Sequence, residues 1–226
     1  MPKMISIAID GPAGAGKSTI ARQLAKELNF RYVDTGAIYR TVAYFMDLLG
    51  ISPKDTDGVN RYIDELTIGI NYDEDGLQHM IMNGMDVTGD IRTQEIGQKA
   101  SLVSAQPVVR EMLLDMQREV AREHNVVMDG RDIGTVVLPG ADVKIFLTAS
   151  AEVRADRRCK ELMAKGQKPS FEKVLAEIRQ RDYQDTHRAI APLKMARDSV
   201  KLDTSEMNVQ EVLAEMKRII GEKVTL

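Results

Sequence analysis

Ile5-Ser6-Ile7-Ala8-Ile9-Asp10-Gly11-Pro12-Ala13-Gly14-Ala15-Gly16-Lys17-Ser18-Thr19 decides the fold. A short apolar run enters a glycine-rich loop, and Ile20, Leu24 and Leu28 follow at helical spacing, so the stretch reads as strand, phosphate-binding loop and helix. Gly11, four intervening residues and Gly16-Lys17-Ser18 match the P-loop pattern, in which glycines let consecutive backbone N–H groups curl around a phosphate chain. Lys17 can bring a point charge to terminal phosphate oxygens, Ser18 can place its hydroxyl on Mg²⁺, and the opening helix adds its positive dipole end. Thr19 is a further donor. Glycines alone would also suit a flexible turn capping a helix; the strand before and the amphipathic helix after are what the phosphate-binding pattern requires.

Further along, Arg31-Tyr32-Val33-Asp34 predicts a short strand. Residues 35–49 predict a helix, with Thr35 as N-cap, Ile38, Val42, Phe45 and Leu49 on one face, and Gly50 as its stop. Between 51 and 87, Pro53 and many aspartates surround apolar runs at 66–70 and 79–82. Gly76 and Asn83-Gly84 are turn signals there, and together they predict a small antiparallel insert. Helices are predicted at 93–104 and 107–123, Pro107 being suited to a first helical position. Asn125-Val126-Val127-Met128 is a strand ending in Asp129-Gly130-Arg131-Asp132, and 143–147 is another. Helices at 151–165 and 171–189, separated by Gly166-Gln167-Lys168-Pro169, precede a strand at 200–203 and a helix at 209–220. Strands alternating with helices predict an α/β fold with a mostly parallel sheet covered on both faces, in a single domain spanning 1–226.

Composition narrows the partners. Of 226 residues, 43% are hydrophobic and 29% charged, as in a soluble globular protein, and no apolar run approaches a membrane span. A net charge of −3 lacks the positive excess of a general nucleic-acid binder. The chain shows no signal peptide, so a cytoplasmic protein is expected. The single cysteine, Cys159, excludes an internal disulfide, and no apolar face demands a partner, so a monomer is expected.

Ligands of an open parallel sheet sit beyond the carboxyl ends of its strands. That rule brings Asp10, Asp34, Thr35, Asp129, Arg131 and Asp132 toward the P-loop, although aspartates at such places also serve as turn formers and caps. Arg181, Asp185 and Arg188, four and three apart, share one face of a predicted helix. Such a face suits a phosphate and a sugar hydroxyl, and equally a solvated, salt-bridged surface. Arg154, Arg157, Arg158 and Lys160 precede the break at 166–169, where cations on a hinged segment suit a lid over a charged transition state; an ordinary exposed helix has the same pattern. His79, His124 and His187 are too scattered for a metal cage or a triad.

These residues together give the chain a close resemblance to the bacterial cytidylate kinases of the nucleoside monophosphate kinase group. It is carried by IDGPAGAGKST at 9–19, DTGAIYR at 34–40, TGDIRTQEI at 88–96, DGRDIGTVV at 129–137, KIFLTAS at 144–150 and RDYQDTHRAIAPL at 181–193. The resemblance implies a P-loop NTPase-type fold and transfer of a phosphoryl group from ATP to CMP or dCMP with Mg²⁺. It implies ATP contacts from Gly11, Pro12, Ala13, Gly14, Ala15, Gly16, Lys17, Ser18 and Thr19, with Ser18 on the metal. Thr35, Arg40, Arg131 and Arg188 are then expected at the acceptor phosphate, Ser101, Arg110 and Asp132 at cytosine, and Arg181 and Asp185 at the sugar. Lys17, Arg131 and Arg188, with Arg154 and Arg158 from the lid, are expected to neutralise the transferring group. The resemblance also assigns 51–104 to a monophosphate-binding insert and 151–168 to the lid. A kinase for UMP and a nucleotide-switch protein are the alternatives. The chain lacks an Asn-Lys-x-Asp guanine-reading segment, and its arginines near strand ends suit a second anionic substrate better than a switch loop.

Overall fold

The computed structural model describes residues 3–225. Strands β1 (Ser6–Asp10), β2 (Arg31–Asp34), β6 (Val126–Gly130), β7 (Val143–Thr148) and β8 (Val200–Asp203) form a parallel sheet in the order β2-β6-β1-β7-β8. The central strands are apolar on both faces because both are covered: Ile7, Ala8, Ile9, Val126, Val127 and Met128 have no exposed surface. On one face, Ile20 and Leu24 of α1 (Lys17–Leu28) pack with Leu213, Met216 and Ile220 of α8 (Val209–Gly221). On the other, Ile38, Val42 and Met46 of α2 (Thr35–Leu48) share a core with Val109 and Leu113 of α5 (Pro107–Glu123).

The insert carries the expected antiparallel sheet: β3 (Ile68–Tyr72), β4 (Gln78–Met82) and β5 (Met85–Asp86). Asn83 and Gly84 both take positive φ at its tight turn, 47° and 85°, the conformation an Asn-Gly hairpin uses. It is not wholly antiparallel, however. A helix, α3 (Thr56–Tyr62), opens it, capped by the Asp55 carboxylate accepting from the Gly58 N–H at 3.0 Å. Helix α4 (Gln94–Val103) returns the chain to α2.

Helices α6 (Ala151–Ala164) and α7 (Phe171–His187) form an outlying pair with its own small core of Ala155, Cys159, Leu162, Val174 and Ile178. Cys159 is buried there as a packing residue. Among the described residues no helix is long and apolar enough to cross a membrane.

Two expectations are corrected. The N-cap of α2 is Asp34, whose carboxylate accepts from the Ala37 N–H at 2.9 Å; Thr35 is already helical and turns its hydroxyl to the Asp129 carbonyl at 2.8 Å. Arg188 is not on the face of α7. It is the C-cap residue, with ψ 143°, because the helix stops at His187 ahead of Pro192.

Candidate active site

Sheet register assembles the site. Asp10 lies beside Gly130, and Asp34 beside Asp129, where three parallel strands end together. A cavity of about 630 Å³ opens there. Its walls include Gly14 to Thr19 of the P-loop, Thr35, Arg40, Ser101, Arg131, Asp132, Arg181, Asp185 and Arg188. A wider cleft of about 1450 Å³ shares Ser18, Arg40, Ser101 and Arg181 with it and extends past Arg22, Lys26 and Arg158.

The P-loop is shaped by backbone that only glycine adopts freely. Gly14 and Gly16 have φ of 74° and 88°, and Gly11 has φ of 151° while a Cβ on it would stand 1.9 Å from the Leu147 carbonyl oxygen. Gly11→Ala should therefore destabilise the fold by about 2–3 kcal/mol, seen as a lowered denaturant midpoint. An unchanged midpoint would mean that β7 yields freely at Leu147.

Lys17 is 5% exposed, and its Nζ donates to the Pro12 carbonyl at 2.8 Å. Burial first, then the charge of Arg131, hold its pKa well below the ordinary 10.5. A polyphosphate seated in the loop favours the ammonium, so binding takes up a proton at any pH between the free and the bound value, and affinity falls as pH rises through that window. Calorimetry of ATP binding near about pH 8, in buffers of different ionisation enthalpy, should show uptake of part of a proton that Lys17→Met abolishes. Equal uptake by both proteins would contradict this.

Beside Lys17, Ser18 Oγ donates to Asp129 Oδ2 at 3.0 Å and the Tyr32 phenol donates to Oδ1 at 2.8 Å. Burial, then the neighbouring Asp34, push the Asp129 carboxyl above the usual carboxylate range. A positive ion next to it would relieve both effects, and a hydroxyl with a carboxylate is an all-oxygen donor set that suits a hard cation. Among the described residues no cluster of three or more His, Cys, Asp or Glu side chains is arranged to hold a metal.

Across the cavity lies a network of arginines and carboxylates. Arg131 Nε donates to Asp185 Oδ2 at 2.8 Å. Burial presses on that arginine, but Asp185 outweighs it and the guanidinium pKa is raised; Asp185 is lowered despite its own burial because Arg131 faces it. Asp132 is gripped from two sides, by Arg110 and by Arg188 Nη2 at 3.2 Å. Arg188 also donates to the Ser104 hydroxyl and the Ala191 carbonyl, so it enters the site from beyond the helix end. Ser101 Oγ reaches Asp185 at 3.4 Å.

Arg181 is different. Burial, then repulsion from Arg131, lower it to about 10. A guanidinium is still charged there, so Arg181 is a buried cation crowded by Arg131. Among the described residues, the buried side-chain nitrogens without a hydrogen-bond partner are Arg181 Nε and Arg40 Nη1.

The expected residues do not all line the cavity. Gly11, Pro12 and Arg110 are not among its lining residues, and Arg110 pairs with Asp132 as its counter-ion. Arg154, 4% exposed, is committed to the Ala149 and Ala13 carbonyls and, through both Nη atoms, to Asp182, so it braces α6 against the P-loop and α7. Arg158 pairs with Glu161 in the wider cleft. Sequence reasoning gives no specific role to Asp129, Arg92 or Asp182. Asp129 has a signal, an apolar strand ending in aspartate that pairs with the P-loop strand; Arg92, 3.7 Å from Asp34, and Asp182 lie within segments that carry the family resemblance, but neither type nor spacing assigns them a role.

A parallel sheet with a glycine loop and its lysine facing an arginine-lined chamber defines the class of P-loop kinases. The fold is shared with an uncharacterized protein from Eubacterium ventriosum, with a TM-score of 0.54 at 14% identity over 97% of this chain and 99% of that one. A family model described as cytidylate kinase matches residues 7–222. Cytidylate kinases from Carboxydothermus hydrogenoformans and Clostridium tetani are 50% and 43% identical, covering 96% and 97% of this chain and 97% and 95% of theirs. The chain belongs to the cytidylate kinase family.

Proposed function

We propose that the chain transfers the γ-phosphoryl group of ATP to the 5′-phosphate of CMP or dCMP, giving ADP and CDP or dCDP, as a cytoplasmic monomer. The observation that carries this is the buried Arg181 Nε, which has no hydrogen-bond or ion-pair partner, beside the cavity that the P-loop also lines; Arg40 Nη1 on the same wall makes no hydrogen bond and has only a 3.6 Å ion pair to Asp34. A buried donor without an acceptor is costly, and an anionic acceptor facing the ATP phosphates satisfies it.

P-loop amides and Lys17 hold the ATP phosphates, with Ser18 and Thr19 at the helix start. Thr35, Arg40, Arg131 and Arg188 hold the acceptor phosphate, Ser101 and Asp132 read cytosine with Arg110 paired to Asp132 from behind, and Arg181 with Asp185 meets the sugar. Ser18 and Asp129 are the residues that would hold Mg²⁺, with nucleotide oxygens and water completing its shell, and the ion would supply neutralisation of the phosphate charge. The acceptor oxygen already carries charge, so no general base is required; the protein positions two polyanions in line and neutralises the charge between them. Residues 51–104 serve as the acceptor-side insert and 151–168 as the lid. Arg154 acts as the brace of that lid, and Arg158 reaches the transferring group when the lid closes over the wider cleft.

The test is ADP formation with ATP, Mg²⁺ and each nucleoside monophosphate in turn. CMP and dCMP should be the preferred acceptors. Preference for UMP, or nucleotide hydrolysis with no acceptor dependence, would overturn the proposal.

A further inference from the structure

Tyr72 and Gln78 are direct partners across the β3–β4 hairpin, and both reach from the small sheet to the same strand of the large one. That strand, β2, is at the sheet edge, so the groups on its outer side have no neighbouring strand to bond. Gln78, 6% exposed, fills the gap at Asp34: its side-chain carbonyl accepts from the Asp34 N–H at 2.7 Å and its amide donates to the Asp34 carbonyl at 3.3 Å. The Tyr72 hydroxyl donates to the Tyr32 carbonyl at 3.0 Å, two residues back on the same edge. The Arg31 guanidinium lies over the Tyr72 ring, 4.7 Å from its centroid. Two side chains thus do for β2 what the backbone of another strand would do.

Asp34 joins this edge to the acceptor side of the cavity. Its carboxylate caps α2, and the second carboxylate oxygen stands 3.6 Å from Arg40 and 3.7 Å from Arg92. Thr35 is the next residue, and its hydroxyl is fixed on the Asp129 carbonyl. We infer that Gln78 is a positioning residue for the acceptor phosphate: its amide fixes the Asp34 backbone, and the Asp34 carboxylate, which caps α2 and stands 3.6 Å from Arg40, aims that guanidinium. Tyr72 makes the neighbouring bond, so the insert and this acceptor-phosphate ligand are held as one unit. This rests on the proposed role of Arg40.

A double-mutant cycle read by CMP binding tests it, because a side chain acting through Arg40 loses its influence when Arg40 is gone. Gln78→Leu should weaken CMP binding about tenfold, the usual size for a lost buried hydrogen-bonded contact, and change ATP affinity and kcat by less than about twofold. In an Arg40→Ala background the same substitution should cost less than about twofold. Tyr72→Phe, which removes only a hydroxyl, should weaken CMP about threefold with the same dependence on Arg40, and it carries the test should Gln78→Leu not fold. Unchanged CMP affinity despite a lowered Tm, an equal loss for CMP and ATP, or the full factor in both backgrounds would each overturn the inference. Failure of the unsubstituted chain to bind CMP would instead overturn the proposed function.

Discussion

Lys17→Ala is expected to lower the turnover number by about 10²-fold or more while leaving CMP affinity within about twofold. Lys17 is a buried amine whose hydrogen-bond partner is the loop's own Pro12 carbonyl, and no acceptor-side carboxylate is bonded to it. Truncation therefore removes charge at the donor phosphates without unpairing the arginine network around Asp132 and Asp185. Single-turnover transfer and a separate CMP titration distinguish the two steps. A loss of CMP affinity comparable to the loss of rate would place Lys17 in the acceptor site and contradict its assignment.

Asp132→Ala should have a comparable effect from the other side. Asp132 is 4% exposed and faces both Arg110 and Arg188, so its removal strands two guanidinium groups. Breaking a buried pair by deleting one partner costs about 3–5 kcal/mol of stability, and the loss of the carboxylate facing cytosine, with Arg188 no longer held, should lower kcat/KM for CMP by about 10²-fold. A carboxylate has about four lone-pair sites, so two arginine contacts still leave Asp132 able to accept from the cytosine amino group. UMP offers an acceptor at that place, and the unpaired contact should make it a poorer substrate by about ten- to a hundredfold in the unsubstituted protein. In Asp132→Ala this ratio should collapse toward unity. A variant that loses activity but keeps its CMP preference would confine Asp132 to holding Arg110 and Arg188, and the base would have to be read elsewhere.

Much of the architecture was legible because the central strands are apolar on both faces and the helices carry regular stripes. Val126-Val127-Met128 cannot be mistaken for a surface segment, and Ile20, Leu24 and Leu28 have helical spacing. Boundaries set by tertiary contacts were not legible. Asp34 and Thr35 are both good cap residues, and Asp34 wins because the Thr35 hydroxyl is drawn to the Asp129 carbonyl of the adjoining strand. Residues 133–137 form a single π-helical turn that local propensity does not announce, since Thr135, Val136 and Val137 are β-branched or strand-prone; the Asp10 carboxylate organises it from outside by accepting from the Ile133 and Gly134 N–H groups, both at 2.7 Å. Burial raises Asp10 to about 6 against those two hydrogen bonds. The motif residues could be singled out in advance because their types match phosphate chemistry, and the fold brings most of them to one cavity. Gln78, Tyr72 and Asp182 could not, because a glutamine in a small hairpin, a tyrosine opposite it and an aspartate on a charged helix acquire meaning only from the distant backbone or arginine they meet.

Direct transfer requires donor and acceptor phosphates to meet in one cavity, between the P-loop and the arginines beyond Gly130. Inhibition by a single molecule carrying adenosine and cytidine at the two ends of a five-phosphate chain tests it most directly. Such a compound should compete with both ATP and CMP and bind more tightly than either nucleotide by about 10²-fold or more, because the second end binds at high effective concentration once the first is seated. Competition with only one of the two substrates, or affinity no better than that of the tighter nucleotide alone, would show that the two sites are not continuous and contradict direct transfer.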